Sequence, residues 1–143
     1  RKLYLGGIKI PFALGLLGHS DADPVLHALI DSLLGACKLG DIGKLFSNKN
    51  KKYKNIRSTI LLKKVIELIK SKNFSINNID INIILQKPKI KKYTNKMIKI
   101  ISEICEINKN QINIKGKSTE KLGIIGKEKA IASEVLASVI KYD

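Results

Sequence analysis

Tryptophan is absent from this chain of 143 residues, and all aromatic residues together make up only 5% of it. Arginine is equally scarce, because Arg1 and Arg57 are the only two and lysine supplies the remaining basic residues. Proteins that bind nucleic acid commonly stack bases on aromatic rings and contact bases or phosphates through forked guanidinium groups. The net charge of +15 therefore favours a solvated basic surface that attracts small anions, with a nucleic-acid-binding domain as the less favoured alternative.

Long apolar runs and cysteines are also few. No segment approaches the roughly 18 consecutive apolar residues of a membrane-spanning helix, so we expect no membrane partner. The two cysteines, Cys37 and Cys105, fall within apolar helical patterns, which favours buried thiols over a disulfide. A chain of this length fits one domain, and we expect residues 1–143 to form it without help from disulfides.

Hydrophobic periodicity predicts helices and strands in alternation. The predicted elements are, in chain order, a hairpin over 4–11, a helix starting at Asp23–Pro24, a turn over 41–43, a helix capped by Ser58, a strand over 79–85, a helix after Thr94 and a strand over 110–115. The C-terminal segment 130–141 fits the period of a helix as well as that of a strand, so its own pattern leaves both open. This mixture of elements is typical of a compact α+β domain.

Both histidines of the chain lie near the start of the first predicted helix. His27 and Asp31 are one turn apart on the same face, so the carboxylate could hold one imidazole nitrogen while the other binds a metal. The alternative is a half-buried histidine capped by a neighbouring acid. A zinc site needs three or four protein ligands, and nearby the chain adds only His19. His19 could be a second ligand, a substrate contact or an ordinary loop residue.

Two further motifs combine polar side chains with turns. Asp41 and Gly43 pair a carboxylate with an accessible backbone N–H, which suits the hydroxyls of a ribose but also suits a simple turn. Ser118, Thr119 and Glu120 offer two hydroxyls for phosphate oxygens and a carboxylate for a hard cation such as Mg²⁺. The same three residues also fit a capping box. Each motif taken alone favours the plain structural interpretation.

Together, however, the motifs follow one another in a familiar order and spacing, and the chain resembles the 2-C-methyl-D-erythritol 2,4-cyclodiphosphate synthase family of the non-mevalonate isoprenoid pathway. The resemblance covers nearly the whole chain and is carried by residues 5–11, 15–23, 26–36, 39–46, 86–89 and 118–123. It implies a single α+β domain with a mixed four-stranded sheet covered by helices on one face, and a strand over 130–140. It also implies a homotrimer with active sites between subunits.

The family's reaction is a cyclisation. In 4-diphosphocytidyl-2-C-methyl-D-erythritol 2-phosphate the 2-phosphate attacks the β-phosphorus, and CMP leaves. The nucleophile is already an anion and CMP is a good leaving group, so the enzyme must mainly bring like-charged phosphates together and neutralise them. By this resemblance we expect a phosphorus–oxygen lyase in a bacterial cytoplasm or a plastid stroma, acting on a cytidine diphosphate substrate.

The resemblance also assigns roles to individual residues. His27 would ligate Zn²⁺ with Asp31 behind it, and Glu120 would hold Mg²⁺ or Mn²⁺. Asp41 and Gly43 would bind the ribose, and the 85–91 loop would contact cytosine largely through its backbone. The residues with catalytic roles would be His19, Ser20, Ser118 and Thr119. The substrate contacts would be His19, Ser20, Asp41, Gly43, Leu85, Gln86, Lys87, Pro88, Lys89, Ile90, Lys91, Lys117, Ser118, Thr119 and Lys127.

Three features depart from the family. The family takes two further zinc ligands from an Asp-x-His motif on its first strand, which we expect upstream of Arg1. The loop after Phe46 reads Ser47-Asn48-Lys49-Asn50 where aspartates are usual, and Lys117 replaces a usual threonine. A truncated or inactive homologue that only binds cytidine nucleotides therefore stands as the alternative to an active synthase.

Overall fold

The computed structural model describes residues 2–18 and 20–143, and it has the predicted α+β character. The strands are β1 (Leu3–Leu5), β2 (Ile8–Ile10), β3 (Phe74–Ile84), β4 (Ile112–Lys117) and β5 (Ala132–Lys141). The α-helices are α1 (Pro24–Ala36), α2 (Ile42–Leu45), α3 (Ser58–Ser71), α4 (Thr94–Cys105) and α5 (Gly123–Gly126). Within the described residues, no helix combines the length and the apolar character needed to cross a bilayer.

The main sheet has three strands among the described residues, not the four that were expected. β3 lies in the centre, parallel to β4 and antiparallel to β5. β1 and β2 pair only with each other, as an antiparallel hairpin of three-residue strands. The Gly6–Gly7 turn between them is bonded to Asp23 at the start of α1. The segment 130–141, which its own pattern left open, is largely strand β5, because pairing with β3 along its length decides the conformation.

Helices cover one face of this sheet, as expected. α1 packs mainly on β5, α3 on β3 and α4 on β4. Ile79 and Ile81 of β3 are fully buried on that side. The alternate residue Asp80 lies on the opposite face, where it forms an ion pair with Lys115 at 2.9 Å. The same face carries Leu136, whose side chain is 73% exposed. The period of two along each strand thus separates the core from the outer face.

The helices begin where the sequence predicts, but the cap of α3 differs. α1 begins at Pro24, and the Asp23 side chain caps it by accepting two first-turn N–H groups. α3 begins at Ser58, with Arg57 in the N-cap position and no side-chain cap bond. The prediction that Ser58 caps α3 is wrong, because its hydroxyl donates to Asp21 at 2.5 Å instead.

Cys37 and Cys105 are free and buried, as expected. Burial raises the pKa of Cys105 to about 12, and it also raises the pKa of Cys37. Since the thiolate is the reactive form of cysteine, we predict that a disulfide reagent labels neither thiol in the folded protein at neutral pH. Both thiols should react once guanidinium chloride unfolds the chain, and rapid labelling of the native protein would contradict the prediction.

Candidate functional site

His27 on α1 meets Ser20 of the preceding loop. The Ser20 hydroxyl oxygen lies 3.0 Å from His27 Nε2 and also accepts the N–H of Ala22 at 3.3 Å. A serine hydroxyl can accept one hydrogen bond while it donates another, so this arrangement sets the position of the imidazole. Ser20 is buried and His27 is half-buried. His19, the other predicted histidine, lies outside the described residues.

A cavity of about 310 Å³ opens beside these two side chains. Ser20 and His27 line it together with Gly43, Phe46 and Tyr53. The Phe46 and Tyr53 rings meet edge to face, with their centroids 5.4 Å apart. The cavity therefore combines an apolar wall with a hydroxyl and an imidazole, which is a usual composition for a small-molecule site.

Asp31 and Asp41 hold α2 beside this cavity. Asp31 Oδ1 accepts the N–H of Ile42 at 2.8 Å. Asp41 occupies the N-cap of α2 and accepts a backbone N–H inside the helix. The stretch 41–43, predicted as a turn, is thus the capped start of a short helix. Asp31 was expected to support His27, but the hydrogen bond that the structure assigns to it leads to α2.

Asp21 is a buried acid whose role the sequence did not reveal. Its carboxylate forms an ion pair with Arg57 Nε at 3.2 Å and accepts both the backbone N–H and the hydroxyl of Ser58, at 2.9 and 2.5 Å. The Arg57 guanidinium also donates to the carbonyl of Gly7 at 2.9 Å. Asp21 therefore ties the loop that carries Ser20 to the start of α3.

Asp23 was predicted as a helix cap, and the structure adds a second task. Its Oδ1 accepts the N–H of Gly6 at 3.0 Å and its Oδ2 accepts the N–H of Gly7 at 2.8 Å, so the same carboxylate also binds the hairpin turn. Burial raises the pKa of Asp23, and the backbone hydrogen bonds, led by that of Gly7, act in the opposite direction. In the sequence, the only indication of this contact was the Gly6–Gly7 pair upstream of the Asp21-Ala22-Asp23 motif. That spacing does not indicate that the Asp23 carboxylate binds the glycine N–H groups.

A second cavity, of about 280 Å³, opens between the 85–91 loop and the end of β4. It is lined by these predicted substrate contacts: Leu85, Gln86, Pro88, Lys89, Ile90, Lys91, Lys117 and Ser118. Lys87 faces another space, a wider cleft of about 650 Å³ that also reaches His27. The structure therefore brings His27 and Lys87 to one cleft.

Ser118, Thr119 and Glu120 form a tight loop after β4. Ser118 Oγ accepts the N–H of Glu120 at 3.3 Å, and Thr119 Oγ1 donates to the carbonyl of Leu122 at 2.7 Å. Glu120 is exposed and has a left-handed backbone, with φ at 54°. Lys127 follows α5, is exposed, and is not among the described residues that line either of the two smaller cavities.

The two predicted metal ligands differ in how well their surroundings fit a metal. Among the described residues, no three His, Cys, Asp or Glu side chains cluster closely enough to hold an ion. His27 alone does not fit zinc, which takes three or four protein ligands. Glu120 fits Mg²⁺ or Mn²⁺ better, because such ions accept one or two protein carboxylates and complete their shell with water and substrate phosphates.

The fold and these cavities define an α+β domain with open cavities on both sides of His27 and next to a Ser-Thr-Glu loop. The model of the YgbB family matches residues 1–140, and the chain belongs to this family. It is 66% identical over 143 residues to the "Bifunctional enzyme IspD/IspF" of Pelagibacter ubique, and it spans 38% of that protein's length. It is 51% identical over 133 residues to the 2-C-methyl-D-erythritol 2,4-cyclodiphosphate synthase of Caldicellulosiruptor bescii. That match covers 93% of this chain and 85% of the synthase.

A solved structure agrees with these relatives. The chain is similar to the Plasmodium falciparum structure described as "IspF (Plasmodium falciparum) CDP complex", with a TM-score of 0.87 and 43% identity. The match covers 99% of this chain and 85% of the other. The resemblance drawn from the sequence motifs is therefore confirmed at the level of the family.

Proposed function

We propose that this chain catalyses the metal-dependent cyclisation of 4-diphosphocytidyl-2-C-methyl-D-erythritol 2-phosphate to 2-C-methyl-D-erythritol 2,4-cyclodiphosphate, with release of CMP. The observation that carries the proposal is the 51% identity to a synthase over 93% of the chain. Because the chain spans only 38% of its bifunctional relative, the proposal concerns this one reaction.

The 85–91 loop would hold the cytosine, since the cavity that it lines is small. The relative solved as a CDP complex supports a cytidine nucleotide as the ligand. Asp41 and Gly43, at the start of α2, would bind the ribose. A carboxylate and a backbone N–H match the acceptor and donor needs of two vicinal hydroxyls.

The reaction joins two phosphates of the same molecule. A 2-phosphate oxygen forms a bond to the β-phosphorus, while the bond from that phosphorus to the bridging oxygen breaks and its electron pair leaves with CMP. His19 and Ser20 would orient the methylerythritol phosphate. Lys117, Ser118, Thr119 and Lys127 would contact the diphosphate, where cations and hydroxyl donors offset the repulsion between anions.

Metal ions would supply further positive charge against the phosphates. Glu120 would hold Mg²⁺ or Mn²⁺ together with the diphosphate of the substrate. His27 would contribute one ligand to Zn²⁺. The chain's own part is then to hold the His27 imidazole against Ser20 and to present the Glu120 carboxylate after β4.

Assembly into a homotrimer would complete the site. Three large apolar side chains, Leu122, Ile124 and Leu136, are 72%, 69% and 73% exposed, which supports contact between subunits at these residues. The curated relatives named above are bacterial, which supports a cytoplasmic location over a plastid stroma.

The test is CMP release from the proposed substrate by the intact native protein, with ³¹P NMR to identify the cyclic diphosphate. We predict that Glu120→Gln lowers kcat/KM on the order of 100-fold, because it removes the carboxylate charge that holds the cation. Glu103→Gln, at an exposed position on α4, is the matched control and should keep the parent rate.

Two outcomes would contradict the proposed activity. Tight CDP binding without any CMP release would indicate a homologue that only binds cytidine nucleotides. Binding of a random oligonucleotide with a steep salt dependence, and no preference for CDP, would indicate a nucleic-acid-binding domain.

A further inference from the structure

The 85–91 loop and the 118–122 loop leave two neighbouring parallel strands. The ladder between β3 and β4 ends with a bond from the N–H of Leu85 to the carbonyl of Lys117, at 2.9 Å. Just beyond it, the side chain of Gln86 crosses to the other loop, where its Oε1 accepts the N–H of Lys121 at 3.0 Å. One side chain therefore continues the contact between the two segments after the backbone ladder has stopped.

The loop that Gln86 reaches has an uncommon backbone. Glu120 and Lys121 are consecutive non-glycine residues with left-handed φ values of 54° and 66°. Such conformations persist only where surrounding contacts hold them. Bonds inside the loop, such as that between Thr119 and Leu122, close it on itself. The Gln86 bond acts differently, because it sets the loop's position relative to the neighbouring 85–91 segment.

We propose that Gln86 is a positioning residue that couples occupancy of the 85–91 cavity to the orientation of the Glu120 carboxylate. This inference rests on the proposed function, in which the base lies in that cavity and Glu120 holds the cation at the diphosphate. A base seated against the 85–91 loop stabilises the position of Gln86. Gln86 then fixes the backbone at Lys121, one residue after the carboxylate. By linkage, a cation at Glu120 must strengthen nucleotide binding by the same factor as the nucleotide strengthens cation binding.

The competing role for Gln86 is direct contact with the base, since the residue also lines the cavity. Cytidine separates the two roles, because this nucleoside has a base and no phosphate. If Gln86 acts only as a tether to the Glu120 loop, removing its side chain leaves the affinity for cytidine unchanged. If Gln86 contacts the base, removing its side chain lowers the affinity for cytidine.

The experiment compares two variants of the intact native protein. Gln86→Leu has nearly the same size and removes the acceptor oxygen, whereas Gln86→Glu keeps an oxygen that can accept the Lys121 N–H. For Gln86→Leu we expect the Mg²⁺ concentration for half-maximal activity to rise about tenfold, and the KM at saturating Mg²⁺ to rise by a similar factor because the coupling is reciprocal. We expect kcat to fall about tenfold, because the Glu120 carboxylate is then less well oriented. Gln86→Glu should show a smaller rise in the Mg²⁺ requirement than Gln86→Leu, because its carboxylate oxygen can still accept the Lys121 N–H.

Calorimetry supplies a readout that does not depend on turnover. CDP affinity of the parent should increase when Mg²⁺ is added, and Gln86→Leu should lose most of that increase while binding cytidine as the parent does. Gln111→Leu is the control for loss of a glutamine that bonds to backbone elsewhere. It should lower the melting temperature and leave the Mg²⁺ response unchanged.

Three results would overturn the inference. Cytidine affinity that falls in parallel with activity would make Gln86 a base contact. Equal losses in Gln86→Leu and Gln86→Glu would show that the acceptor oxygen is irrelevant. An unchanged Mg²⁺ response in Gln86→Leu would show that the tether has no effect on Glu120. In each of these three cases the unsubstituted protein still releases CMP. If the proposed function itself is wrong, the unsubstituted protein releases no CMP.

Discussion

Replacing Asp23 with alanine is expected to destabilise the fold by about 4 kcal/mol or more, since each buried donor left without a partner costs about 1–3 kcal/mol. The carboxylate is fully buried and accepts four backbone N–H groups, from Gly6, Gly7, Val25 and Leu26. Alanine leaves the buried hairpin turn and the first turn of α1 without their common acceptor. A domain with a total stability of about 5–15 kcal/mol then retains little margin.

The measurement is the midpoint of urea denaturation at one fixed protein concentration, with an unchanged m-value as evidence that the same transition is observed. Asp23→Asn serves as the matched variant. Asparagine caps a helix about as well as aspartate, but it has a single acceptor oxygen. When that oxygen binds the first turn of α1, its NH₂ group faces the N–H of Gly7, and two donors meet.

Asp23→Asn should therefore fall between the parent and Asp23→Ala. A cost for Asp23→Ala of only about 1 kcal/mol, the usual effect of losing an N-cap, would show that the bonds to the hairpin turn contribute nothing. The position also affects the site, because Asp23 lies between Ser20 and His27. A substitution at Asp23 that loosens this part of the fold should therefore also break the contact between His27 and Ser20.

Gly126→Ala is expected to lower activity on the order of 100-fold and to destabilise the protein by about 1–3 kcal/mol, the usual cost of overpacking a buried position. A methyl group at Gly126 would lie 2.7 Å from both the Cα and the carbonyl oxygen of Lys121. Those atoms belong to the backbone, so no rotamer change relieves the overlap. The loop must move, and it carries Glu120, whose carboxylate is proposed to hold the cation.

Gly35→Ala is the matched control for the loss of a glycine. Position 35 is exposed near the end of α1, and a methyl group there meets no atom within 4 Å. Because glycine weakens a helix relative to alanine, this variant should gain about 0.5–1 kcal/mol and keep full activity. CMP release and thermal melting on both variants provide the check. A Gly126→Ala protein with the activity of the parent would mean that the loop tolerates displacement and does not position Glu120.

Sequence reasoning succeeded where the signal was local. The Asp23–Pro24 start of α1, the burial of both cysteines and the strand alternation around 79–85 all appear in the structure. It was less successful for hydrogen bonds between side chains and partners that are distant in the sequence. Asp31 bonds to Ile42 of α2, and Ser58 bonds to Asp21 in place of its own helix. These partners are 11 and 37 residues apart, and nothing in the local spacing specifies them.

The candidate site shows the same division. Spacing singled out His27, and the whole set of motifs indicated the 85–91 and 118–120 loops as parts of one site. The contact between Gln86 and Lys121 was not predicted, because it exists only where β3 and β4 lie parallel and end together. Among the described residues the main sheet has three strands and not the expected four, since β1 and β2 pair only with each other.

The sequence by itself determined the family, the α+β class, and the residue types available for phosphate and cation binding. It could do so because hydrophobic period and motif order are properties of the linear chain. Only the tertiary structure decided which carboxylate accepts which donor, which loops share a cavity, and where a glycine permits close approach of two backbones. These depend on contacts between distant residues, whose geometry is set by the packing of the whole domain.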